Sequence, residues 1–367
     1  MKRLILTLAT LIGVFFLTAC NGEPTVGEPT VHRVAQGDFL MDTWAEILIF
    51  YESNSPSPTR SLERRYENLA QDALEYARYL EGIFSRFEEG TDVWRVNHAG
   101  GEYVEVSPYL VTVLQYSLHL REMTAGRMDV TIGAVRDLWN FEANDYQDVR
   151  VPTEEELAQA LPSVGTGIII DGNRVRLEHP QAQLDLGGIA KGFIADRAAA
   201  FLRENGVEHA VVNMGGDNVM IGGNPNGTPF RTGIPAPGAI GIVDGWIGVA
   251  LIEDKTMLGS GIDQRSFWQD GVFYHHILDV DTGMPVDTDM LSVFIISESA
   301  ILGEGLTTAM YTMGREMGMA LVEGIPNAHA VLFIDTGRAD GFELQATSGV
   351  GYIPPTEEDS RFTLYFE

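Results

Sequence analysis

Cysteine is almost absent. Cys20 is the only one among 367 residues, which excludes an internal disulfide and leaves the fold to stand on packing alone. Basic residues are scarce too: 24 Lys and Arg face 52 Asp and Glu, a formal net charge of −28. Such a surface repels nucleic acid and anionic lipid, so an anionic ligand needs local help from a metal ion, a helix N-terminus or backbone N–H groups. No HExxH or HxxxH spacing supports a zinc site, and neither GxxxxGK[ST] nor GxGxxG occurs. Beyond the first twenty residues there is no apolar run of membrane-spanning length.

What is present starts with a short basic stretch, Met1-Lys2-Arg3, followed by LILTLATLIGVFFL and LTAC. The run is too short for a comfortable span and reads as an export signal, residues 1–19, with a small-residue cleavage site. Cys20 then sits where the bacterial lipobox carries its lipidated cysteine. A plain signal peptide that happens to end in Cys is the alternative. Lipidation predicts an extracytoplasmic protein anchored to a bacterial membrane through its N-terminal lipid. Losing Lys2 and Arg3 with the signal makes the balance 22 − 52 = −30. Residues 20–38, rich in Pro, Gly and Glu without apolar periodicity, read as a flexible tether.

From residue 39 to 367 the chain reads as one folded, catalytic body, and its 45% apolar content permits a real core. Residues 41–50 are strand-like. Leu62, Tyr66, Leu69, Ala73, Leu80 and Phe84 share one face of a helix over 61–87. Ser107-Pro108 opens a second helix that Gly126 ends, and Thr153 to Glu156 has capping-box spacing. GIIIDGNRVRL predicts a hairpin with a Gly-Asn turn, and QAQLDL a strand leading into a helix over 191–204. Further strands are expected in AVVNMGGDNVMIGG, WIGVALIE, VFYHHILDV, LSVFIIS and HAVLFID, and helices over 299–313 and up to 323. Strands and helices come in runs without steady β-α-β alternation, so the fold class is α+β.

Four stretches could carry chemistry. In LDLGGIAKGFIAD (184–196), Gly187 and Gly188 permit close approach of backbone, and Lys191 falls in a first helical turn that favours an anion. The alternative is a tight strand-to-helix turn with no ligand. Asp129 lies among apolar residues in GRMDVTIGAVRDLW and is either a cap for the next turn or a ligand contact. His275 and His276 are adjacent in a strand, so they point to opposite faces, and one can be buried or catalytic while the other meets solvent. Glu304 and Thr308 stand at i and i+4 on a small, apolar helix, where an inward carboxylate and hydroxyl form an oxygen site suited to Mg²⁺. A glutamate on a solvated face is the bland reading.

In this order the stretches resemble the ApbE family, the FAD:protein FMN transferases, from about Met41 to about Gly349. The resemblance rests on FSRFEEGTDVWRVN, GRMDVTIGAVRDLWNF, LDLGGIAKGFIAD, VVNMGGDNVMIGGNP, GSGIDQRSF, HHILDVDTG and the Glu304/Thr308 helix. It implies an ApbE-like, T-fold-related α+β fold with mixed and antiparallel sheets packed with helices. It also implies FAD as substrate and Mg²⁺ as cofactor. A Thr or Ser hydroxyl in the flavinylation motif of an extracytoplasmic flavoprotein takes FMN through a phosphoester, and AMP leaves. An FAD pyrophosphatase and a non-catalytic, lipid-anchored FAD-binding protein are the alternatives; no nucleic-acid partner is expected.

Carried over position by position, the resemblance implies metal ligands at the Ala190 carbonyl, Glu304 and Thr308, with His276 as base and Asp279 orienting the site. Met41, Phe87, Met128, Asp129, Val130, Gly187, Lys191, Phe193 and Leu278 fall at flavin- or adenine-contacting positions, while Ser260 and Arg265 read as support for a turn. The chain departs from the family pattern at three places. Glu304 replaces the usual Asp between Gly303 and Gly305, glycines that could let backbone shift to absorb the extra methylene. MDT replaces MGT at Met41 to Thr43, and Asp279-Val280 replaces Asp-Pro.

Overall fold

The fold was described from a computed structural model of the chain, covering residues 29–141, 149–236, 246–337, 341–353 and 362–366. The export signal, Cys20 and the first part of the expected tether lie outside the described residues. The rest of that tether is a strand: β1 (Thr30–Leu40) pairs antiparallel with β2 (Thr43–Ser53) along its whole length. Residues 30–38 are therefore ordered by backbone pairing that composition does not reveal.

After β2 come α1 (Arg60–Phe84), α2 (Asp92–Asn97), β3 (Val104–Glu105), α3 (Pro108–Met123), α4 (Gly133–Trp139) and α5 (Glu154–Ala160). The hairpin β4 (Ile168–Asp171) and β5 (Arg174–Leu177) precedes α6 (Ala190–Glu204). The strands β6 (His209–Met214), β7 (Asp217–Ile221), β8 (Phe230–Pro235), β9 (Trp246–Ile252), β10 (Thr256–Gly261), β11 (Ser266–Gln269), β12 (Val272–His275) and β13 (Met290–Ser297) follow. Helices α7 (Ala300–Met313) and α8 (Arg315–Glu323) lead to β14 (His329–Asp335), β15 (Phe342–Ala346), β16 (Tyr352–Ile353) and β17 (Phe362–Phe366). Nine strands form one sheet in the order β1-β2-β6-β7-β10-β13-β14-β15-β17, antiparallel except for β15 and β17. Smaller sheets, helices on the main sheet and antiparallel pairing make this the expected α+β class.

The capping signals work as the residue types dictate. Ser107 accepts from the Tyr109 N–H with Pro108 in the first turn, and Thr153 and Glu156 close a reciprocal capping box. In β2 the side chains alternate between two cores. Ile47 and Ile49 join a cluster with Leu74 and Leu80 of α1 and Leu114 of α3; Leu48 and Phe50 join one with Phe230, Ile247 and Val293. The buried run of β13 follows from burial along its entire length. A third, smaller cluster of Trp139, Phe141, Leu157 and Leu278 receives Phe267 and Tyr274 from the β11–β12 hairpin. The Trp139 Nε1–H donates to the Gly283 carbonyl at 2.8 Å, pinning the loop after His276.

Three local expectations differ. QAQLDL is not a strand; it makes one parallel bridge, Gln183 with Ile132, and the Asp185 N–H donates to the Val130 carbonyl at 2.7 Å. Helix α1 stops at Phe84, because Ser85 turns extended at φ −60° and ψ 129°, so Phe87 stands on a loop. The strand through VFYHHILDV ends at His275, and the alternation argument for the two histidines lapses there.

Candidate active site

The segment Asp185–Lys191 is a turn followed by the first residues of α6. The N–H groups of Ile189 and Ala190 both donate to the Leu186 carbonyl, at 3.0 and 2.8 Å. Glycine is required where this turn meets α7. A Cβ on Gly188 would lie 3.0 Å from Thr308 Oγ1 and 3.7 Å from Met128 Cε, and a Cβ on Gly192 would lie 2.3 Å from the Ala300 carbonyl oxygen. The close approach brings Gly188, Lys191, Met128, Glu304 and Thr308 into one place.

Each of the two helices caps the other. Ile189 offers α6 no side-chain cap, and the Gly192 N–H donates instead to Glu304 Oε2 at 2.6 Å. In return Asp196 of α6 accepts from the Ala300 and Ile301 N–H groups at the start of α7, at 2.8 and 3.0 Å. Negative charge at both helix N-termini is favourable. Gly303 and Gly305 do not leave slack for Glu304. Their Cβ positions would lie 2.9 Å from Leu258 Cδ1 and 2.3 Å from Leu120 Cδ1, so they exist for close packing, and the longer side chain reaches outward from a fixed backbone.

The ammonium of Lys191 lies between two carboxylates. It bonds Asp217 Oδ2 and stands 2.9 Å from Glu304 Oε1. Asp217, at the end of the Gly215-Gly216 turn, also accepts from the Gly259 N–H at 3.1 Å. Burial acts to lower the Lys191 pKa, but Asp217 and Glu304 outweigh it and the net direction is up. Burial pushes the Glu304 carboxyl above the ordinary range, against the pull of Lys191. Glu304 is 5% exposed, and its Oε1 pairs with the Lys191 ammonium. With both acids ionised, the group carries one negative charge in excess. Its donors, with Thr308, are all oxygen. Ala190 is the first residue of α6, half-buried beside this group.

At the other end of the turn, buried Asp185 meets Arg86 and Arg136, each at 3.0 Å. Burial alone would raise its carboxyl; Arg136, Arg86 and the Gly187 N–H outweigh that and hold it low. Arg86 reaches Asp137 at 2.7 Å as well. His276 lies in the field of Arg136 and Arg265. Its N–H and Nδ1 approach the Arg265 carbonyl at 3.0 and 3.3 Å. A carbonyl only accepts, so Nδ1 carries the proton and Nε2 is the basic nitrogen. Burial first, then the two arginines, hold the imidazole well below its ordinary pKa, so it is neutral at pH 7. His275 is buried, its Nε2–H donating to the Val286 carbonyl at 3.1 Å.

Other expected residues have mainly structural positions. Asp129 is a cap: its Oδ1 accepts from the Thr131 N–H and hydroxyl, and Oδ2 pairs with Arg121 at 2.9 Å. Asp279 Oδ1 closes the turn through Asp281 and Thr282. Phe193 packs edge-on against Phe84 at 5.6 Å, a core position. Val130 and Leu278 are buried in clusters, and Phe87 is 63% exposed beside the Arg86 guanidinium. Met41 and Asp42 form the β1–β2 turn with φ of 51° and 58°, and the Met41 N–H donates to Glu81 at 2.6 Å. The family's usual glycine at position 42 suits that left-handed backbone; Asp tolerates it at a cost of order 1 kcal/mol. Ser260 donates to Thr307 at 2.8 Å, and the Arg265 carbonyl holds His276. Sequence alone does not mark Asp217, Asp185, Asp196, Arg86 or Arg136, although all five lie in stretches that resemble the family. The available signal was a charge set within an apolar run, as in Leu184-Asp185-Leu186.

The α+β scaffold gathers the N-terminus of α6, buried carboxylates and other oxygen donors at one turn, with a neutral histidine in the field of Arg136. Residues 41–333 match the sequence model of the ApbE family, and the chain belongs to that family. A protein of Vibrio cholerae called FAD:protein FMN transferase is 35% identical over 281 residues, 75% of this chain and 82% of that one. One of Haemophilus influenzae with the same name is 26% identical over 98% of this chain and 100% of its own length. Among solved structures, the flavin transferase ApbE from Vibrio cholerae superposes with a TM-score of 0.72 at 28% identity, covering 87% of this chain and 98% of that one. The ApbE protein from Thermotoga maritima does so with 0.72 at 28%, covering 90% and 99%.

Proposed function

We propose that the chain is an FAD:protein FMN transferase, moving FMN from FAD to a Thr or Ser hydroxyl of an extracytoplasmic flavoprotein. The family match over residues 41–333 supports the activity. The observation that carries the chemistry is the convergence of the Gly188 turn and the Glu304–Thr308 face of α7.

In this reading the acceptor hydroxyl attacks the FMN-side phosphorus. The new P–O bond forms as the bond to AMP breaks, and the hydroxyl proton passes to Nε2 of His276. Arg265 presents the required tautomer through its carbonyl, and its guanidinium, like that of Arg136, keeps the imidazole unprotonated until it is used. The buried Glu304 carboxylate and the oxygen donors around it, with one negative charge in excess, fit a hard divalent cation. Glu304, Thr308 and the Ala190 carbonyl would hold Mg²⁺, which supplies neutralisation of pyrophosphate charge that this acidic chain cannot provide from its general field. Among the described residues no helix is long and apolar enough to cross a membrane; LTAC supports attachment through a lipid on Cys20.

The test is incubation with FAD, Mg²⁺ and a candidate flavoprotein domain. A mass gain on the acceptor equal to FMN, with release of AMP, is the expected result. AMP release without any acceptor would favour hydrolysis, and no AMP under any condition would leave only FAD binding.

A further inference from the structure

We propose that Lys191 is a resident counter-cation of the metal site: in the metal-free chain its ammonium holds Asp217 and Glu304 together, and a divalent ion must displace it from Glu304 to bind. The inference rests on the metal reading above. It replaces the expectation, drawn from resemblance, that Lys191 lines the FAD.

Three observations carry it. Lys191 bonds Asp217 and stands 2.9 Å from Glu304 Oε1, placing one positive charge between two negative ones. The contact with Glu304 is an ion pair made at Oε1, so the ammonium neutralises the very oxygen that a metal ion would have to reach. Glu304 itself is anchored from the other side, since Oε2 accepts the Gly192 N–H. A cation arriving at Oε1 therefore meets a fixed carboxylate and a movable competitor. Lys191 is one third exposed on a flexible four-carbon stem, and it can swing away while keeping Asp217. Without it, two buried carboxylates would repel each other in the metal-free protein, which costs stability. The affinity of the site for metal is thus set by a competition within the chain, and metal loss leaves a folded cluster in which one of the two negative charges is balanced.

The experiment measures Mn²⁺ binding to the full chain, without FAD, by the loss of the free-ion electron paramagnetic resonance signal. Lys191→Met is expected to bind Mn²⁺ at least about tenfold more tightly than wild type, because the competing charge is gone. Lys191→Arg, which keeps the charge, should bind much as wild type does. Melting temperatures give a second readout: Lys191→Met should melt below wild type in EDTA and gain more from Mn²⁺ than wild type gains. Equal, weaker or absent Mn²⁺ binding in Lys191→Met, or no larger Mn²⁺-dependent gain in melting temperature, overturns the inference. The two readings fail separately. FMN transfer by wild type with unchanged affinity in Lys191→Met sinks the counter-cation alone. Tight Mn²⁺ binding by Lys191→Met with no FMN transfer by wild type sinks the activity alone.

Discussion

The two ends of one turn meet opposite arrangements of charge. At Asp185 a buried carboxylate sits between two guanidiniums, those of Arg86 and Arg136. Six residues on, the Lys191 ammonium sits between two carboxylates, Asp217 and Glu304. The first group is closed, because the carboxylate is satisfied by both arginines and by the Gly187 N–H. The second is open, because a single ammonium faces two carboxylates and one negative charge remains in excess. A chain with a net charge of −28 thus makes a fixed brace at one end of its turn and a cation-seeking group at the other. Net charge says little about either; the local pairing decides.

Removing the centre of the closed group should have the largest effect. Asp185→Ala leaves two nearly buried guanidiniums facing each other and is expected to cost roughly 3–5 kcal/mol, read as a lowered urea midpoint. A loss below about 1 kcal/mol would mean that the brace is solvated in solution. At the open group, Glu304→Gln keeps shape but removes charge. FMN transfer should fall by about 100-fold or more while FAD still binds, measured by mass spectrometry and flavin fluorescence. Parallel losses of binding and transfer would instead make Glu304 a scaffold residue, capping α6 and little else.

A third test concerns pH and the histidine pair. Burial holds His275 at about 4, against an ordinary 6.5. Between those values the unfolded chain takes up a proton that the folded chain refuses. This contribution is therefore intact above about 6.5 and is lost as the pH falls toward 4, amounting to roughly 3 kcal/mol at most. His275→Asn should flatten the fall in urea midpoint between pH 7 and 4.5, and an unchanged slope would assign the acid sensitivity to the carboxylates. The smallest effect belongs to the surface pair of Arg127 and Asp281, whose side chains are 41% and 69% exposed at 2.6 Å. Arg127→Ala should move stability by less than about 1 kcal/mol, a baseline for the two buried groups.

Much of the fold was legible because its signals are local. The Thr153 capping box, the Ser107-Pro108 helix start and the Gly-Asn hairpin act within a few residues, so residue type nearly decides them. The tether failed over residues 30–38 because strand β1 is defined by its pairing with β2 rather than by its own composition. Asp129 and Asp279 show the same limit at the site. Asp129 in its apolar stretch looks like a ligand or a cap, and Asp279 like a turn residue that could orient the site; the positions of the Thr131 and Thr282 donors show that both carboxylates cap turns.

The sequence by itself determined the classes of group available: a Gly-Gly turn before a helix, a carboxylate and hydroxyl one turn apart on another helix, a histidine beside arginine-bearing stretches, and a single cysteine behind an apolar leader. The tertiary structure decided which of them meet. Lys191 finds Asp217 and Glu304 across 26 and 113 positions of chain, and Glu304 comes within reach because Gly192 lets α6 approach α7 to a distance that a side chain would block. Short-range preferences are written residue by residue, whereas the partner of a buried charge is set by backbone packing that brings remote segments together.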